Sequence, residues 1–211
     1  MAGFWTLTRL ILRRDRVKLP VWIGPIVLSL LAMVPMLKDI YGSSESLAVL
    51  HQAFGTNPAG LFLTGPMDAP TFGALMTIET LLWWGLAIAF MNTLFIIRHT
   101  RHNEEIGAQE LILSGRVHRR TSLFSALFVA FLANLIMAIF IGAGMSLVSD
   151  SWSAQSGWLY GLSLGLFGWV WAVIAALVAQ LVESGRSANG ILAGLIGLTF
   201  ILRGIGDFLG T

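Results

Sequence analysis

The sequence predicts an all-α fold, a polytopic membrane helix bundle that forms a single transmembrane domain over residues 1–211. Hydrophobic residues make up 56% of the chain, and the mean hydropathy is +0.79. Charged residues make up only 11%, whereas soluble domains contain about 25%. The apolar residues are concentrated in five runs, which is typical of membrane-spanning helices rather than of a soluble core.

An amphipathic helix is predicted over residues 4–16, before the first apolar run. Its arginines share one face at helical spacing, and its apolar side chains cluster on another. Such a helix suits the cytoplasmic headgroup layer of a membrane, with Trp5 as an interfacial anchor. The alternative is a basic flank that only sets topology. The arginines of the basic face are Arg9, Arg13 and Arg16.

The five apolar runs predict five membrane spans. They cover residues 21–37, 73–97, 123–148, 157–182 and 190–209. The first contains Pro25 and Pro35, and neighbouring helices in a bundle can accommodate the bends that prolines cause. In the fourth run, glycines recur at four-residue spacing, which lets helix backbones approach closely in lipid. These glycines are Gly157, Gly161 and Gly165.

Two polar residues inside these spans are candidates for a substrate path. They are Glu79 in the second span and Asn134 in the third. Polar groups are costly within a bilayer and often serve transport there. For Glu79 a structural alternative is favoured, because it lies within a turn or two of the outer end of its span and can face water.

A long charged stretch between two apolar runs covers residues 98–120, with five arginines and three glutamates. Asn103 can cap a short helix. Glu104 and Glu105 then lie in its first turn, where the helix dipole favours carboxylates. The stretch therefore predicts a short charged helix between two spans, and an ordinary solvated loop is the alternative.

The basic residues orient the spans. If the N-terminus is cytoplasmic, Lys38 and Arg203 are the only two of the thirteen basic residues outside. The positive-inside rule therefore predicts a cytoplasmic N-terminus and a cytoplasmic location for residues 98–120. With five spans, the C-terminal end of the chain then lies outside.

Several kinds of chemistry are not indicated. The only lysines, Lys18 and Lys38, follow no glycine-rich phosphate loop, so the chain is not expected to bind and hydrolyse ATP itself. No His or carboxylate accompanies a serine as a nucleophile–base pair at a plausible depth, so no enzyme activity and no cofactor of its own are expected. His99, His102 and Glu105 lack the H-E-x-x-H spacing, and no zinc site is expected. Basic residues beside lipid favour phospholipid headgroups over nucleic acid.

The charged stretch resembles a known family. It reads RHTRHNEEIGAQELILSGRVHRR and resembles the coupling-helix loop of type-2 ATP-binding-cassette exporter permeases, closest to the branch that exports polyketide antibiotics, including the tetronasin-type permeases. The usual form there is RHTRxEEExGRxEL, a small-residue turn and VxRR. Residues 10–22, 179–190 and 202–207 resemble further marks of that branch. The matching loop positions are Arg98, His99, Thr100, Arg101, Glu104, Glu105, Gly107, Glu110, Leu111, Val117, Arg119 and Arg120.

The resemblance implies a permease subunit of an ATP-driven exporter in a bacterial inner membrane. A cytoplasmic ATP-binding-cassette ATPase subunit, which would hold ATP and Mg, is expected to dock on the coupling helix. The expected cargo is a hydrophobic or amphipathic compound such as a polyketide. A membrane scaffold or accessory subunit that binds a cytoplasmic partner without transport is the alternative. The predicted ATPase-coupling residues are Arg101, Glu104, Glu105, Gly107, Glu110 and Leu111.

The chain also departs from this branch. Asn103 and Ala108 stand where glutamate and arginine are usual, which weakens the inference that every charge of the loop is required. Permeases of the branch are about twice as long or more, with two six-span halves, and this chain resembles the first half without its last span. It is expected either to pair with a second permease half or copy, or to be part of a longer permease.

Overall fold

The fold is entirely helical within the residues that the computed structural model describes, which are 3–105, 119–148 and 153–210. This confirms the predicted all-α class. Eight helices are numbered here in chain order: α1 Phe4–Arg14, α2 Lys18–Tyr41, α3 Ser44–Thr56, α4 Pro58–Thr64, α5 Phe72–Ile97, α6 Arg119–Val148, α7 Ala154–Leu181 and α8 Gly185–Leu209. A π-helical turn, Arg98–His102, and a short α-helical segment, Asn103–Glu105, extend α5.

Five of these helices are long and apolar enough to cross a membrane: α2, α5 with its extension, α6, α7 and α8. They match the five predicted runs, but most extend beyond them. α2 begins at Lys18, because the proline at position 20 falls in the first turn, where no backbone donor is needed. α8 begins at Gly185, because the Ser184 hydroxyl accepts a hydrogen bond from the Ser187 amide at 3.0 Å and caps the helix.

The centre of the bundle is the pair α6 and α7, with α5 packed against α7. The three glycines predicted to allow close packing lie at the α6–α7 contact. A Cβ atom on Gly161 would lie 2.5 Å from the carbonyl oxygen of Ala138, and one on Gly165 would lie 2.8 Å from the Ala138 Cβ. Because these distances exclude any side chain, the prediction of close backbone approach is confirmed.

Helix α1 packs its apolar face against α6. Leu7 and Ile11 are buried, and the ring of Phe4 lies 5.6 Å from that of Phe128. The predicted interfacial anchor Trp5 is exposed. The helix therefore forms as expected, whereas its location in a headgroup layer stays a prediction.

The connection between the first two spans contains α3 and α4 and reaches across to α8. The Asn57 side chain accepts a hydrogen bond from the Ala59 amide at 3.1 Å and caps α4. On α8, Arg203 donates to the Leu63 carbonyl oxygen at 2.9 Å and pairs with Asp207 at 2.6 Å. Gly65, which ends α4, has φ of 87°, and a Cβ there would lie 2.3 Å from the Arg203 guanidinium. These contacts fix α4 against α8.

Candidate functional site

The candidate site is the base of the charged loop, where the extension of α5 meets three other parts of the chain. Residues 98–102 form a π-helical turn, a geometry that is frequent at functional sites. Within it, the Thr100 hydroxyl donates to the Ile96 carbonyl oxygen at 2.7 Å. His99 is buried and its ring lies 4.7 Å from that of Phe95. The first turn of the predicted loop is thus folded into the bundle.

Asp15, in the corner between α1 and α2, holds this turn. Arg98 donates to one carboxylate oxygen at 2.7 Å, and the His99 ring nitrogen Nε2 contacts the other. The carboxylate is 1% exposed. Burial acts to raise the pKa of Asp15, but the hydrogen bond and charge of His99, with the charges of Arg98 and Lys18, outweigh it and lower the pKa below 3.8. Asp15 is therefore ionised at neutral pH.

A second contact joins the same corner to Asn103. Arg14 donates to the Asn103 side-chain oxygen at 2.9 Å, and the Asn103 amide nitrogen donates to the His99 carbonyl oxygen at 3.4 Å. Asn103 is buried and its backbone is helical, with φ of −68° and ψ of −29°. The prediction that Asn103 caps a separate helix is therefore wrong. The helix of α5 continues through it, and its side chain binds α1 instead.

The extension of α5 also contacts both ends of the α7–α8 connection. Arg101 donates to the carbonyl oxygen of Ala179 in the last turns of α7 and pairs with Glu104 at 2.5 Å. Glu105 accepts a hydrogen bond from the Gly185 amide at 2.6 Å, at the start of α8. Both contacts complement the helix dipoles, with a cation at a C-terminus and a carboxylate at an N-terminus.

Three predicted coupling residues are thus located by the structure. Arg101, Glu104 and Glu105 lie together on the extension of α5, and each has a polar contact within the chain. The other three, Gly107, Glu110 and Leu111, lie outside the described residues. The docking role of all six stays a prediction.

Asn134, a predicted substrate-path residue, takes part in a buried amide pair. Its side-chain nitrogen donates to Asn92 at 2.6 Å, and the Asn92 nitrogen donates back to Asn134 at 3.1 Å. Each amide nitrogen also bonds a backbone carbonyl of its own helix. Gly168 of α7 covers the pair, since a Cβ there would lie 2.0 Å from the Asn134 oxygen. The pair joins α5 and α6 at a point where α7 needs a glycine.

Glu79, the second predicted substrate-path residue, lies two turns into α5 and is half-buried. No ion pair to it occurs among the described residues. A cavity of about 320 Å³ opens between α5, α7 and α8, and neither Glu79 nor Asn134 lines it. Its walls are mainly leucines and aromatic rings, with Ser163, Thr199 and Arg203 as the polar exceptions. The structure therefore separates the two predicted polar residues from this cavity.

Sequence reasoning missed the residues that organise the site. Asp15 is the one acidic residue within a run of basic residues, and this pattern could have indicated a carboxylate held in an ion pair. Asn92 could have been found as a second amide inside a span, by the argument applied to Asn134. Gly168 lies three residues after Gly165, so it falls outside the four-residue spacing by which the other glycines of α7 were found.

The fold and the site define a multi-pass membrane helix bundle in which polar contacts join the extension of α5 to the α1–α2 corner, to α7 and to α8. No family model matches the chain. The chain is 35% identical over 207 residues to the multidrug efflux system permease protein Rv1217c of Mycobacterium tuberculosis. This similarity covers 98% of the chain and 37% of that protein. The chain therefore spans little more than a third of the length of this curated relative.

Proposed function

We propose that this chain is a permease component of an ATP-driven exporter in a bacterial inner membrane. In this proposal its N-terminus and residues 98–120 face the cytoplasm, and a separate ATP-binding-cassette ATPase docks on that loop. ATP and Mg are held by the ATPase. The similarity of nearly the whole chain to a multidrug efflux permease supports a transporter role, and the loop resemblance supports coupling to an ATPase.

The observation that best supports coupling is the set of contacts at the base of the loop. The extension of α5 is bonded to the α1–α2 corner, to the end of α7 and to the start of α8. Displacement of the loop by a docked ATPase would therefore be transmitted to four elements together rather than bend one helix. Charge-assisted hydrogen bonds of this kind are the stronger ones in proteins.

The proposed cargo is a hydrophobic or amphipathic compound, with polyketides as the finer expectation. The cavity between α5, α7 and α8, about 320 Å³ in volume, falls at the lower end of the range for small-molecule sites. Its mainly apolar walls suit such a cargo. Because Glu79 does not line this cavity, we expect Glu79→Gln to export at the wild-type rate. A large loss of export in that variant would return Glu79 to the transport path.

The test of coupling is capture of a candidate ATP-binding-cassette ATPase by this chain, followed by ATP turnover of the complex. Glu110→Lys and Glu104→Lys reverse two predicted docking charges. Glu183→Lys is the matched control, because Glu183 is exposed in the α7–α8 connection. We expect the first two variants to weaken capture and turnover and the control to retain both.

Glu105 needs a separate variant because its carboxylate also receives the Gly185 amide. Glu105→Gln keeps an acceptor for that amide and removes the charge, so it isolates docking from the folding of α8. Equal capture by Glu110→Lys, Glu104→Lys and wild type would contradict the coupling proposal. Capture and ATP turnover without drug export by the assembled complex would instead support the accessory-subunit alternative.

A further inference from the structure

A second groove, separate from the cavity above, lies between α2 and α6, and the α1–α2 corner forms part of its lining. We name it the α2–α6 groove; its volume is about 680 Å³. Its lining includes Gly24, where a Cβ atom would have no neighbour within 4 Å. Its walls are apolar along both helices, and its two charged residues, Asp15 and Arg16, lie together at the corner.

The end of the groove at Asp15 and Arg16, which we call its mouth, carries positive charge. Asp15 is paired with Arg98 and contacts His99, so its charge is already balanced within the chain. Arg16 is exposed, as are Arg13 and Lys18 close by in sequence. No ion pair to Arg16 occurs among the described residues, so an anion there would meet a guanidinium at the point where the apolar walls begin.

The length of the groove matches one leaflet of a bilayer. On α2 its lining runs from Leu19 to Leu28, and on α6 from Val129 to Phe140. At 1.5 Å per residue these stretches are about 14 Å and 17 Å long. Half of a hydrocarbon core of about 30 Å is about 15 Å. The groove thus has a charged corner at one end and an apolar length close to the thickness of one leaflet.

We propose that the α2–α6 groove binds an anionic phospholipid, with its phosphate at Arg16 and an acyl chain between α2 and α6. A basic mouth above an apolar slot of leaflet depth is the complement of that molecule, and basic pockets between membrane helices bind anionic headgroups. A helix of a second permease half is the weaker occupant, because it would need an acidic residue of its own opposite Arg16, whereas the phosphate of a lipid supplies that charge. The site does not depend on the proposed transport function.

The test measures lipid retained by the purified chain in dodecyl maltoside, using native mass spectrometry with added dioleoylphosphatidylglycerol or dioleoylphosphatidylethanolamine. We expect the wild type to prefer the anionic lipid. Arg16→Gln should weaken its binding about fivefold, from about 1 kcal/mol per basic residue at a membrane surface. Gly24→Leu should abolish the preference, because the new side chain enters open space in the groove.

Matched controls distinguish this site from general attraction. Arg13 is an exposed arginine close to Arg16 in sequence, but it does not line the groove, so Arg13→Gln is the control for charge. Gly194→Leu adds a leucine side chain at an exposed position of α8 where a Cβ has no neighbour within 4 Å, so it is the control for Gly24→Leu. Both should bind the anionic lipid as the wild type does. Equal weakening by Arg13→Gln and Arg16→Gln, or wild-type binding by Gly24→Leu, would overturn the proposal.

A third measurement identifies the occupant directly. The chain contains no cysteine, so Gly24→Cys provides a single reactive thiol in the groove. In native membranes, a maleimide-bearing phosphatidylglycerol should label this thiol more than it labels Gly194→Cys. Disulfide formation between Gly24→Cys and another protein chain, with no excess of lipid labelling, would assign the groove to a protein partner and refute the lipid site. This readout requires no ATPase, so its outcome is independent of the coupling test.

Discussion

Replacing Asp15 by asparagine should loosen the base of the charged loop while preserving side-chain size. The carboxylate is 1% exposed and its two oxygens face Arg98 and His99. Asparagine would leave Arg98 without its counter-charge and would offer one acceptor where there are two. Removing one partner of a buried ion pair costs about 3–5 kcal/mol. Because Arg98 is 25% exposed and water can solvate it, we expect a loss of about 3 kcal/mol.

The assay is reversible unfolding of the purified protein in mixed detergent and sodium dodecyl sulfate, followed by circular dichroism. Asp39→Asn is the matched control, because Asp39 is an exposed carboxylate near the end of α2. It should change the free energy of unfolding by less than about 0.5 kcal/mol. A loss below about 1 kcal/mol for Asp15→Asn, or equal losses in both variants, would refute the argument that Asp15 holds the loop.

The same reasoning gives a pH dependence with a definite sign. His99, Arg98 and Lys18 lower the pKa of Asp15 below 3.8 in spite of its burial. A carboxylate with a lowered native pKa stabilises the fold above its unfolded pKa, and that stabilisation is lost as pH falls through the native pKa. The contribution of Asp15 should therefore be constant from neutral pH to about pH 5 and should decline below about pH 4. The difference in stability between wild type and Asp15→Asn should narrow over that acid range; a constant difference would contradict the assignment.

Three further substitutions test contacts between the spans. Asn92→Leu should lower the free energy of unfolding by about 1–2 kcal/mol, because Asn134 loses its partner. The double variant with Asn134→Leu should lose less than the sum of the two single losses. Additive losses in this double-mutant cycle would contradict a direct pair. Gly168→Ala should destabilise by about 1–3 kcal/mol in the same unfolding assay through overpacking, whereas Gly194→Ala, which meets no neighbour, should have little effect. Arg203→Ala should release α4 from α8 and speed amide hydrogen exchange in α4, and unchanged exchange there would show that the carbonyl contacts do not hold it.

The spans were predictable because a bilayer imposes length and composition directly on the sequence. Their ends were less predictable, since capping groups and prolines decide where a helix begins. α8 starts five residues before the predicted run because Ser184 caps it. The extension of α5 beyond Ile97 could not be inferred from hydropathy, because those residues are polar and are held by contacts with distant parts of the chain.

Asn103 shows how tertiary contacts override a local signal. Asparagine favours helix N-caps because its side chain competes for backbone donors. Here the preceding turn is already helical, so the amide of residue 103 bonds the Thr100 carbonyl oxygen and no cap is needed. The side-chain oxygen instead accepts from Arg14, which is 89 positions away in sequence. No window of sequence around Asn103 contains that partner.

The contacts of Asp15 also change which part of the loop can meet a partner. From the sequence, Arg98 and Arg101 add to the positive charge of the loop, but Arg98 is paired with Asp15 and Arg101 with Glu104. Glu105, in turn, is bonded to the start of α8. The charges at the base of the loop are therefore used to hold the bundle together. Since Glu104 and Glu105 also have contacts within the chain, we expect Glu104→Lys to weaken capture of the proposed ATPase less than Glu110→Lys does.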